Sequence, residues 1–236
     1  MGFWKHILDC LLPPRCIACG AVLSGEQGLC PDCFNKIDFI SAPYCPRCGR
    51  PYESAGQGVC GQCLKEKHPL FRMSRSAYRY TDESKLLILS FKFYDKTDNA
   101  PVLAQMMHRA GADIFNAGVD VIIPIPLHFT RLIKRRYNQS ALLAKYLGKL
   151  SGVDVDYTSV LRHRHTRPQV EFSGHARVKN VKDAFRIRRP DRIKGKRILL
   201  IDDVMTTGST LRECALVLKK AGAVSVDTLT VARVLD

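Results

Sequence analysis

The sequence predicts an α/β fold, in which helices flank a parallel β-sheet, preceded by a small cysteine-rich module. Apolar runs typical of buried strands alternate with amphipathic helical segments over residues 69–236. Eight of the ten cysteines form four C-x-x-C pairs before residue 64. A loop of small and hydroxyl residues follows one strand-like run, and parallel sheets bind ligands at the carboxyl ends of strands. We therefore divide the chain into residues 1–68 and residues 69–236.

The cysteine pairs are regularly spaced, with gaps of 10, 11 and 11 residues between successive pairs. A C-x-x-C turn directs two thiolates toward one centre, so two such turns complete a tetrahedral zinc site. The spacing indicates an internal duplication, with one zinc ribbon at residues 16–33 and a second at 45–63. The predicted ligands of two structural zinc ions are Cys16, Cys19, Cys30, Cys33, Cys45, Cys48, Cys60 and Cys63. Because this segment has little apolar core, metal binding supplies most of its folding energy.

Other cysteine chemistries fit the pattern less well. A disulfide framework needs an oxidising compartment, and a redox C-x-x-C is normally single and lies on a βα unit. An iron–sulfur cluster is an alternative, although four regular pairs favour two separate sites. Sequential ligation, with the first pair joining the second and the third joining the fourth, is preferred. A cross-braced arrangement stays open.

Strands and helices alternate along residues 69–236. The β-branched run at 119–125 suits a strand buried on both faces, as does the run at 197–201. The remaining strand predictions cover residues 75–80, 157–161 and 224–231. The helix predictions cover residues 82–94, 100–116, 139–151 and 209–221. Residues 162–183 are polar, basic and aperiodic, so they are predicted to form a long loop of the kind that often carries function.

The most specific feature is the segment Asp202–Thr210, which follows the run Ile198–Ile201 and leads into a helix. Free backbone N–H groups at a helix start form an anion site, and Gly208 lets the backbone approach a ligand closely. The segment is not a Walker A loop, since no Lys follows Gly208. Two adjacent carboxylates, Asp202 and Asp203, suit ribose hydroxyls with Mg²⁺ nearby. An acidic turn capped by Ser and Thr is the simpler alternative.

Positive charge is concentrated in one segment of the chain. The net charge is +15, and residues 128–197 alone carry 19 Lys and Arg against 5 Asp and Glu. Such a surplus indicates an anionic partner, namely phosphate, pyrophosphate or nucleic acid. The basic residues that follow the 119–125 strand are predicted to lie in a loop that holds pyrophosphate, although a helix start with a solvated basic face is an alternative. The predicted anion-binding residues are Arg131, Lys134, Arg136, Arg164 and Arg177.

The strand, acidic pair and T-T-G-x-T sequence resemble the PRPP-binding loop of type I phosphoribosyltransferases. This resemblance implies a type I phosphoribosyltransferase-like sheet. It also implies that Asp202 and Asp203 contact the ribose hydroxyls. The residues that it assigns to the 5′-phosphate are Thr206, Thr207, Gly208, Ser209 and Thr210.

A closer resemblance covers nearly the whole chain. The four cysteine pairs, the P-x-P-L start at Pro124, the R-R-Y-N-Q sequence at 135–139 and the R-x-T…Q…R…N…A-F pattern are similar to the ComF competence family. That family joins an N-terminal zinc ribbon to a phosphoribosyltransferase-like domain. The usual Gly of its R-G-F-N-Q motif is Arg136 here, which leaves the backbone geometry and anion affinity of this loop in question.

Three functions are compatible with these features. The first is Mg²⁺-dependent phosphoribosyl transfer with release of pyrophosphate, for which Asp202, Asp203 and Arg135 are the predicted catalytic residues. The second is binding of single-stranded DNA along the basic stretch, in a DNA-uptake role that the resemblance implies, with a DNA-uptake helicase as a partner. The third is a non-catalytic sensor of PRPP or a nucleotide. The first and third need the same loop, so the sequence does not separate them.

No membrane-spanning segment is predicted. The apolar run Ile7–Leu12 is interrupted by Asp9 and is far shorter than the roughly 20 residues that a bilayer requires. It also lacks the cleavage site of a signal peptide. A cytoplasmic location, where thiols stay reduced, is therefore expected.

Overall fold

The computed structural model describes residues 13–26, 28–52, 56, 58–93, 97–164 and 182–235. Its main sheet contains four parallel strands in the order β1-β6-β5-β2. The strands are β1 (Ser74–Arg79), β2 (Val121–Pro124), β5 (Arg197–Met205) and β6 (Ser225–Arg233). The predicted parallel sheet is thus confirmed, and it contains the strands predicted at residues 75–80, 119–125, 197–201 and 224–231.

Helices cover both faces of this sheet, because its central strands are apolar on both sides. One core joins Leu199, Ile201 and Leu229 to α3 (Lys85–Phe93), α4 (Ala100–Ala110), α5 (Ala112–Asn116) and α7 (Gln139–Ser151). The other joins Ile198, Leu200 and Val226 to α8 (Ser209–Lys220). The segment Asp202–Thr210, named the phosphate loop here after its predicted ligand, therefore extends from the carboxyl edge of a sheet that is fixed on both faces.

Three elements differ from the sequence predictions. The helix predicted over residues 100–116 is interrupted at Gly111, where a Cβ would meet the Leu229 side chain at 2.9 Å. The basic segment after β2 is not a loop, since α6 covers Phe129–Arg135. The strand predicted over residues 157–161 forms only as β3 (Val160–Arg162), because the Asp156 carboxylate accepts N–H bonds from the next residues and holds them in a turn.

Strand β3 also lies outside the main sheet. It pairs antiparallel with β4 (Phe185–Ile187), and the two strands form a separate small sheet. Phe185 packs into the core beside α8, so this small sheet covers part of that face. The predicted long loop between these strands is described only up to residue 164 and again from residue 182.

The two cysteine-rich ribbons repeat the same backbone pattern. The N–H of Cys16 donates to the Ala21 carbonyl at 2.7 Å, and the N–H of Cys45 donates to the Arg50 carbonyl at 2.8 Å. A short helix begins within the second pair of each ribbon, directly after its first cysteine: α1 (Pro31–Asn35) and α2 (Gly61–Leu64). The internal duplication predicted from the cysteine spacing is therefore visible in the hydrogen bonds.

The ribbon module lies against the edge of the main sheet. Residues 38–40 run antiparallel to β1, with the N–H of Ile40 donating to the Ala77 carbonyl at 3.0 Å. The Arg79 N–H donates to the Asp38 carbonyl at 2.8 Å. This pairing covers the edge strand, whose unpaired backbone groups would otherwise attract other chains. Within the described residues, no helix is long and apolar enough to cross a membrane.

Candidate functional site

The eight paired cysteines form two separate clusters. In each cluster the Sγ atoms lie within 4.8 Å of one another, and the clusters are Cys16, Cys19, Cys30, Cys33 and Cys45, Cys48, Cys60, Cys63. The first pair thus joins the second and the third joins the fourth, as preferred from the sequence. The Sγ atoms of Cys19 and Cys30 are 3.8 Å apart, and those of Cys48 and Cys60 are 3.7 Å apart. Zn–S bonds of about 2.3 Å give tetrahedral edges of about 3.8 Å, so both clusters fit structural zinc.

One thiol in each cluster has a pKa below that of an ordinary cysteine. Burial opposes the thiolate of Cys16, but backbone N–H donors from its own turn and from the next pair outweigh burial and lower its pKa to about 6. The same balance lowers the pKa of Cys45 to about 6. Burial, and then the neighbouring thiols, raise the pKa values of Cys33 and Cys63. These thiols lose their protons when they bind a metal ion, so metal binding releases protons.

The phosphate loop begins at the end of β5. This strand continues to Met205, beyond its predicted end at Ile201, because parallel pairing with β6 extends that far. Gly208 then adopts a φ of +71° and caps the start of α8. The first N–H groups of a helix lack carbonyl acceptors within the helix and can therefore bind an anion. A small open pocket forms here, lined by Asp202, Val204, Met205, Thr206, Gly208, Ser209, Thr210 and Leu211.

The two acidic residues have different surroundings. Asp202 lines the pocket and accepts a hydrogen bond from the Ser140 hydroxyl at 2.9 Å. Asp203 is buried, and its charge adds to burial in raising the pKa of Tyr78. Asp202 is therefore the carboxylate on the pocket wall, whereas Asp203 supports the strand end from within the protein.

Hydroxyl groups line the loop between the acids and the helix. The Thr207 hydroxyl is exposed and donates to the Ser209 hydroxyl at 3.1 Å, while the Ser209 N–H donates to Thr207 Oγ1 at 3.4 Å. Thr206 and Thr210 lie on the pocket wall. Four of the five residues predicted to contact a 5′-phosphate thus line one pocket with Asp202. The fifth, Thr207, is not on the pocket wall but forms hydrogen bonds with Ser209.

Two predicted basic residues, Arg131 and Arg164, lie near Arg162, which is not among the predicted anion-binding residues and lies near Asp202. Burial first, and then Arg131, lower the pKa of Arg162 to about 10, whereas the charge of Asp202 opposes this shift. Burial and the nearby Arg135 likewise lower the pKa of Arg131. Arg164 is exposed and adds to the field at Arg162. These side chains form a positive cluster next to the phosphate loop, which suits an anionic ligand.

The structure positions the other predicted basic residues as follows. Arg135 donates to the Gln139 side chain at 3.3 Å at the start of α7, one residue before Ser140. Lys134 lies on α6, and Arg136 follows the helix with a φ of 64°. Arg177 lies outside the described residues.

Two contact residues were not predicted from the sequence. Ser140 reaches Asp202 because the Asn138 side chain caps α7 and thereby directs its first turn at the strand end. Tyr78 reaches the neighbourhood of Asp203 from β1, through the fold alone. A serine after an N-cap and a tyrosine in a strand are common, so neither carried a signal in the sequence.

The comparison with known families agrees with this architecture. Residues 7–64 match the double zinc ribbon domain, and residues 111–236 match the phosphoribosyl transferase domain. The fold and the loop thus define a phosphoribosyltransferase-like protein with an N-terminal double zinc ribbon.

The chain also matches curated proteins over nearly its full length. It is 33% identical to Competence protein F of Haemophilus influenzae, over 93% of this chain and 96% of the relative. It is 31% identical to the DNA utilization protein YhgH of Escherichia coli K12, over 95% of this chain and 99% of the relative. Competence protein ComFC of Bacillus subtilis is 27% identical, over 90% of this chain and 87% of the relative. The chain belongs to the ComF competence family.

Proposed function

We propose that this protein binds PRPP, or another ribose 5-phosphate compound, at the carboxyl end of β5. One observation carries the proposal: the acidic strand end and the hydroxyl-rich helix start line the same pocket. A phosphate group needs the N–H and hydroxyl donors, and ribose hydroxyls need the carboxylate acceptors. A ribose phosphate meets both requirements at once. The catalytic unit that we propose spans residues 69–236.

The positive cluster suggests where the pyrophosphate of PRPP binds. Arg131, Arg164 and Asp202 each lie within electrostatic range of Arg162. Charge-assisted bonds from such groups suit pyrophosphate, and Mg²⁺ suits the ligand oxygens and the nearby carboxylates. Lys134, Arg136 and Arg177 are further proposed contributors. Zinc remains structural in this proposal, because four thiolates complete its coordination.

Phosphoribosyl transfer is the reaction that this arrangement supports. The bond between C1 of the ribose and the pyrophosphate oxygen breaks, both of its electrons leave with pyrophosphate, and a nucleophile forms the new bond to C1. Arg135 and the positive cluster stabilise the departing charge. The names of two relatives, Competence protein F and DNA utilization protein YhgH, support a role in DNA uptake or use.

Calorimetric titration of PRPP with Mg²⁺ into the zinc-loaded protein tests this proposal. We expect saturable binding to the wild type, weakened at least about tenfold by Asp202→Asn, since a lost charge-assisted hydrogen bond costs about 1.5–3 kcal/mol. Asp154→Asn is the matched control, because it removes the same charge from an exposed residue before β3. Separate titrations with ribose 5-phosphate and pyrophosphate assign the two halves of the site.

Two results would contradict the proposal. One is the absence of PRPP binding to the zinc-loaded wild type. The other is an equal loss of affinity in the Asp154→Asn control, which would indicate a general charge effect. If binding is observed, pyrophosphate release in the presence of candidate acceptors distinguishes an enzyme from a sensor.

Single-stranded DNA is a second candidate ligand. It is favoured by the concentration of 19 Lys and Arg against 5 Asp and Glu within residues 128–197. Binding along a phosphate backbone releases counterions, so the logarithm of the association constant falls linearly with the logarithm of salt concentration. A steep slope of this line for a single-stranded oligonucleotide supports this candidate. If both ligands share the positive cluster, PRPP should also compete with the oligonucleotide. A shallow slope argues against it.

A further inference from the structure

The second cysteine cluster contacts the main sheet through its backbone carbonyls. The turn between Cys45 and Cys48 offers the Arg47 carbonyl to the Ser74 N–H at 2.8 Å. The Cys48 carbonyl accepts a hydrogen bond from the guanidinium of Arg233, which is only 8% exposed. These carbonyls point at the sheet only when the turn is folded, and the metal supplies the folding energy of such a turn.

Ser74 and Arg233, which make these two contacts, both lie next to Met205, the last residue of β5. The Ser74 hydroxyl donates to the Met205 sulfur at 3.7 Å. Arg233 lies opposite Met205 in the β5–β6 register, and the next residue, Val234, donates its N–H to the Met205 carbonyl at 2.9 Å. Met205 is therefore held from two sides by residues that contact the second cluster.

Met205 in turn touches the centre of the loop. A Cβ placed on Gly208 would come within 2.8 Å of the Met205 methyl carbon, so this methyl group lies directly beside the Gly208 backbone. Gly208 has a φ of +71° and forms the cap of α8. A displacement of Met205 would thus change the space available to the residue that forms the phosphate cradle.

A separate ion pair ties the same cluster to the helix after the loop. Glu66, three residues beyond Cys63, accepts from Arg212 at 2.7 Å. The N–H of Arg212 makes a bond of 2.9 Å to the Gly208 carbonyl. The second cluster is thereby connected to both the start of the loop and the helix that the loop enters.

The first cluster contacts a different part of the fold. The Ile17 carbonyl accepts from the buried Asn99 side chain at 3.3 Å. The Ile17 side chain joins the core on the side of α4 and α7. The two metal sites, although repeats of one ribbon, therefore support different regions of the protein.

From these contacts we infer that metal bound at the second cluster, and not at the first, sets the conformation of the phosphate loop. Metal at Cys45, Cys48, Cys60 and Cys63 and a phosphate at residues 206–210 then bind cooperatively, and each raises the affinity for the other by the same factor. The ligand half of this inference, the cooperative binding of phosphate, rests on the proposed function. The conformational half, the effect of the metal on the loop, does not. Arg233 acts as a positioning residue for the loop.

Hydrogen exchange of the full-length, zinc-loaded protein tests the conformational half. We compare Cys60→Ser in the second cluster with Cys30→Ser, the equivalent position in the first. Cys60→Ser is expected to speed exchange at residues 203–212 by about tenfold or more, and Cys30→Ser to change it less than about twofold, in line with typical couplings of about 5–150-fold. Equal effects of both variants on residues 203–212, or no effect of either, would overturn the inference.

Arg233→Met keeps all eight thiols and covers the case in which a cysteine variant does not fold. This variant should retain two zinc ions and still show faster exchange at residues 203–212. In the wild type, ribose 5-phosphate should slow zinc transfer to a chelator about fivefold at the second site only, and Arg233→Met should abolish this protection. Unchanged protection in Arg233→Met overturns the role of Arg233. If ribose 5-phosphate does not bind to the wild type but Cys60→Ser still speeds exchange at residues 203–212, the proposed function fails and the conformational inference stands.

Discussion

Arg136 replaces the usual glycine of the R-G-F-N-Q motif and lies in a backbone conformation that favours glycine. It ends α6 in the left-handed region, with a φ of 64°, where glycine is the usual residue because it has no Cβ. The sequence left open whether Arg at this position alters the loop. The structure places Arg136 in a left-handed turn, which carries backbone strain of about 1–2 kcal/mol.

This strain can be measured by comparing two substitutions of Arg136. Arg136→Gly relieves the strain and Arg136→Ala retains it, while both remove the guanidinium and its interactions. We expect the glycine variant to have the larger free energy of unfolding, by about 1 kcal/mol, in urea denaturation. Both variants should bind pyrophosphate more weakly than the wild type. An alanine variant as stable as the glycine variant would show that the turn is not strained.

At the scale of elements, the strands were predicted better than the segments between them. Buried β-branched runs identified β2 and β5, because a strand covered on both faces needs apolar residues throughout. The end of β5 was missed because Asp202 and Asp203 indicate a loop when local sequence alone is considered. Pairing with β6, from Asp202–Thr230 to Met205–Arg233, carries the strand past them.

Helix α6 was missed for a different reason. Its apolar residues Phe129, Leu132 and Ile133 are exposed by 68%, 40% and 63%, so no buried stripe accompanies the pattern. Its basic residues were interpreted as a loop that binds pyrophosphate. The predicted roles of Arg131 in anion binding and of Arg135 in catalysis do not depend on whether a loop or a helix carries them.

The opposite end of β2 and β5 is tied by an ion pair between Asp120 and Arg197. Their closest side-chain atoms are 2.6 Å apart, and the Arg197 N–H also donates to Asp120 at 2.7 Å. The hydrogen bonds from the Arg197 side chain, followed by the one from its backbone, lower the pKa of Asp120 to about 2. A depressed carboxyl pKa means that ionised Asp120 stabilises the fold above the ordinary pKa of about 4, and that this contribution is lost as the pH falls through about 2.

Asp120→Asn should therefore reduce the free energy of unfolding at pH 7, and the difference from the wild type should shrink between about pH 4 and pH 2. Urea denaturation at several pH values measures this difference. Asp154→Asn removes one carboxylate from an exposed position and serves as the control for the loss of a single negative charge. A difference that stays constant down to pH 2 would contradict the assigned pKa.

At the scale of the whole molecule, the sequence indicated the parts of the site but not the contacts between the modules. The cysteine spacing predicted two metal clusters, and the surplus of positive charge at residues 128–197 predicted an anion-binding region. The contact between Arg233 and Cys48 joins residues 185 positions apart. No local pattern encodes such a contact, because it depends on how the ribbon module is seated on the sheet.

Arg75 is a buried link in that seating, and its removal tests whether the two modules unfold together. It is 4% exposed, donates to the Pro46 carbonyl and Asp113 at 2.8 and 2.6 Å, and lies over the Tyr44 ring at 4.7 Å. Arg75→Ala leaves these groups unpaired, so we expect a loss of about 2–3 kcal/mol in urea denaturation.

Arg79→Ala is the matched control on the same strand. Arg79 pairs with Asp38 at 3.2 Å, but both side chains are well exposed, and such pairs contribute less than about 1 kcal/mol. In the wild type, zinc release and loss of helical circular dichroism should coincide, because the ribbons and the sheet share buried contacts. In Arg75→Ala, zinc should be released at a lower urea concentration than the concentration at which the sheet unfolds. Equal losses of unfolding free energy in the two variants, or separate transitions in the wild type, would show that the ribbon module and the sheet are energetically independent. Zinc at the second cluster could then not act on the phosphate loop.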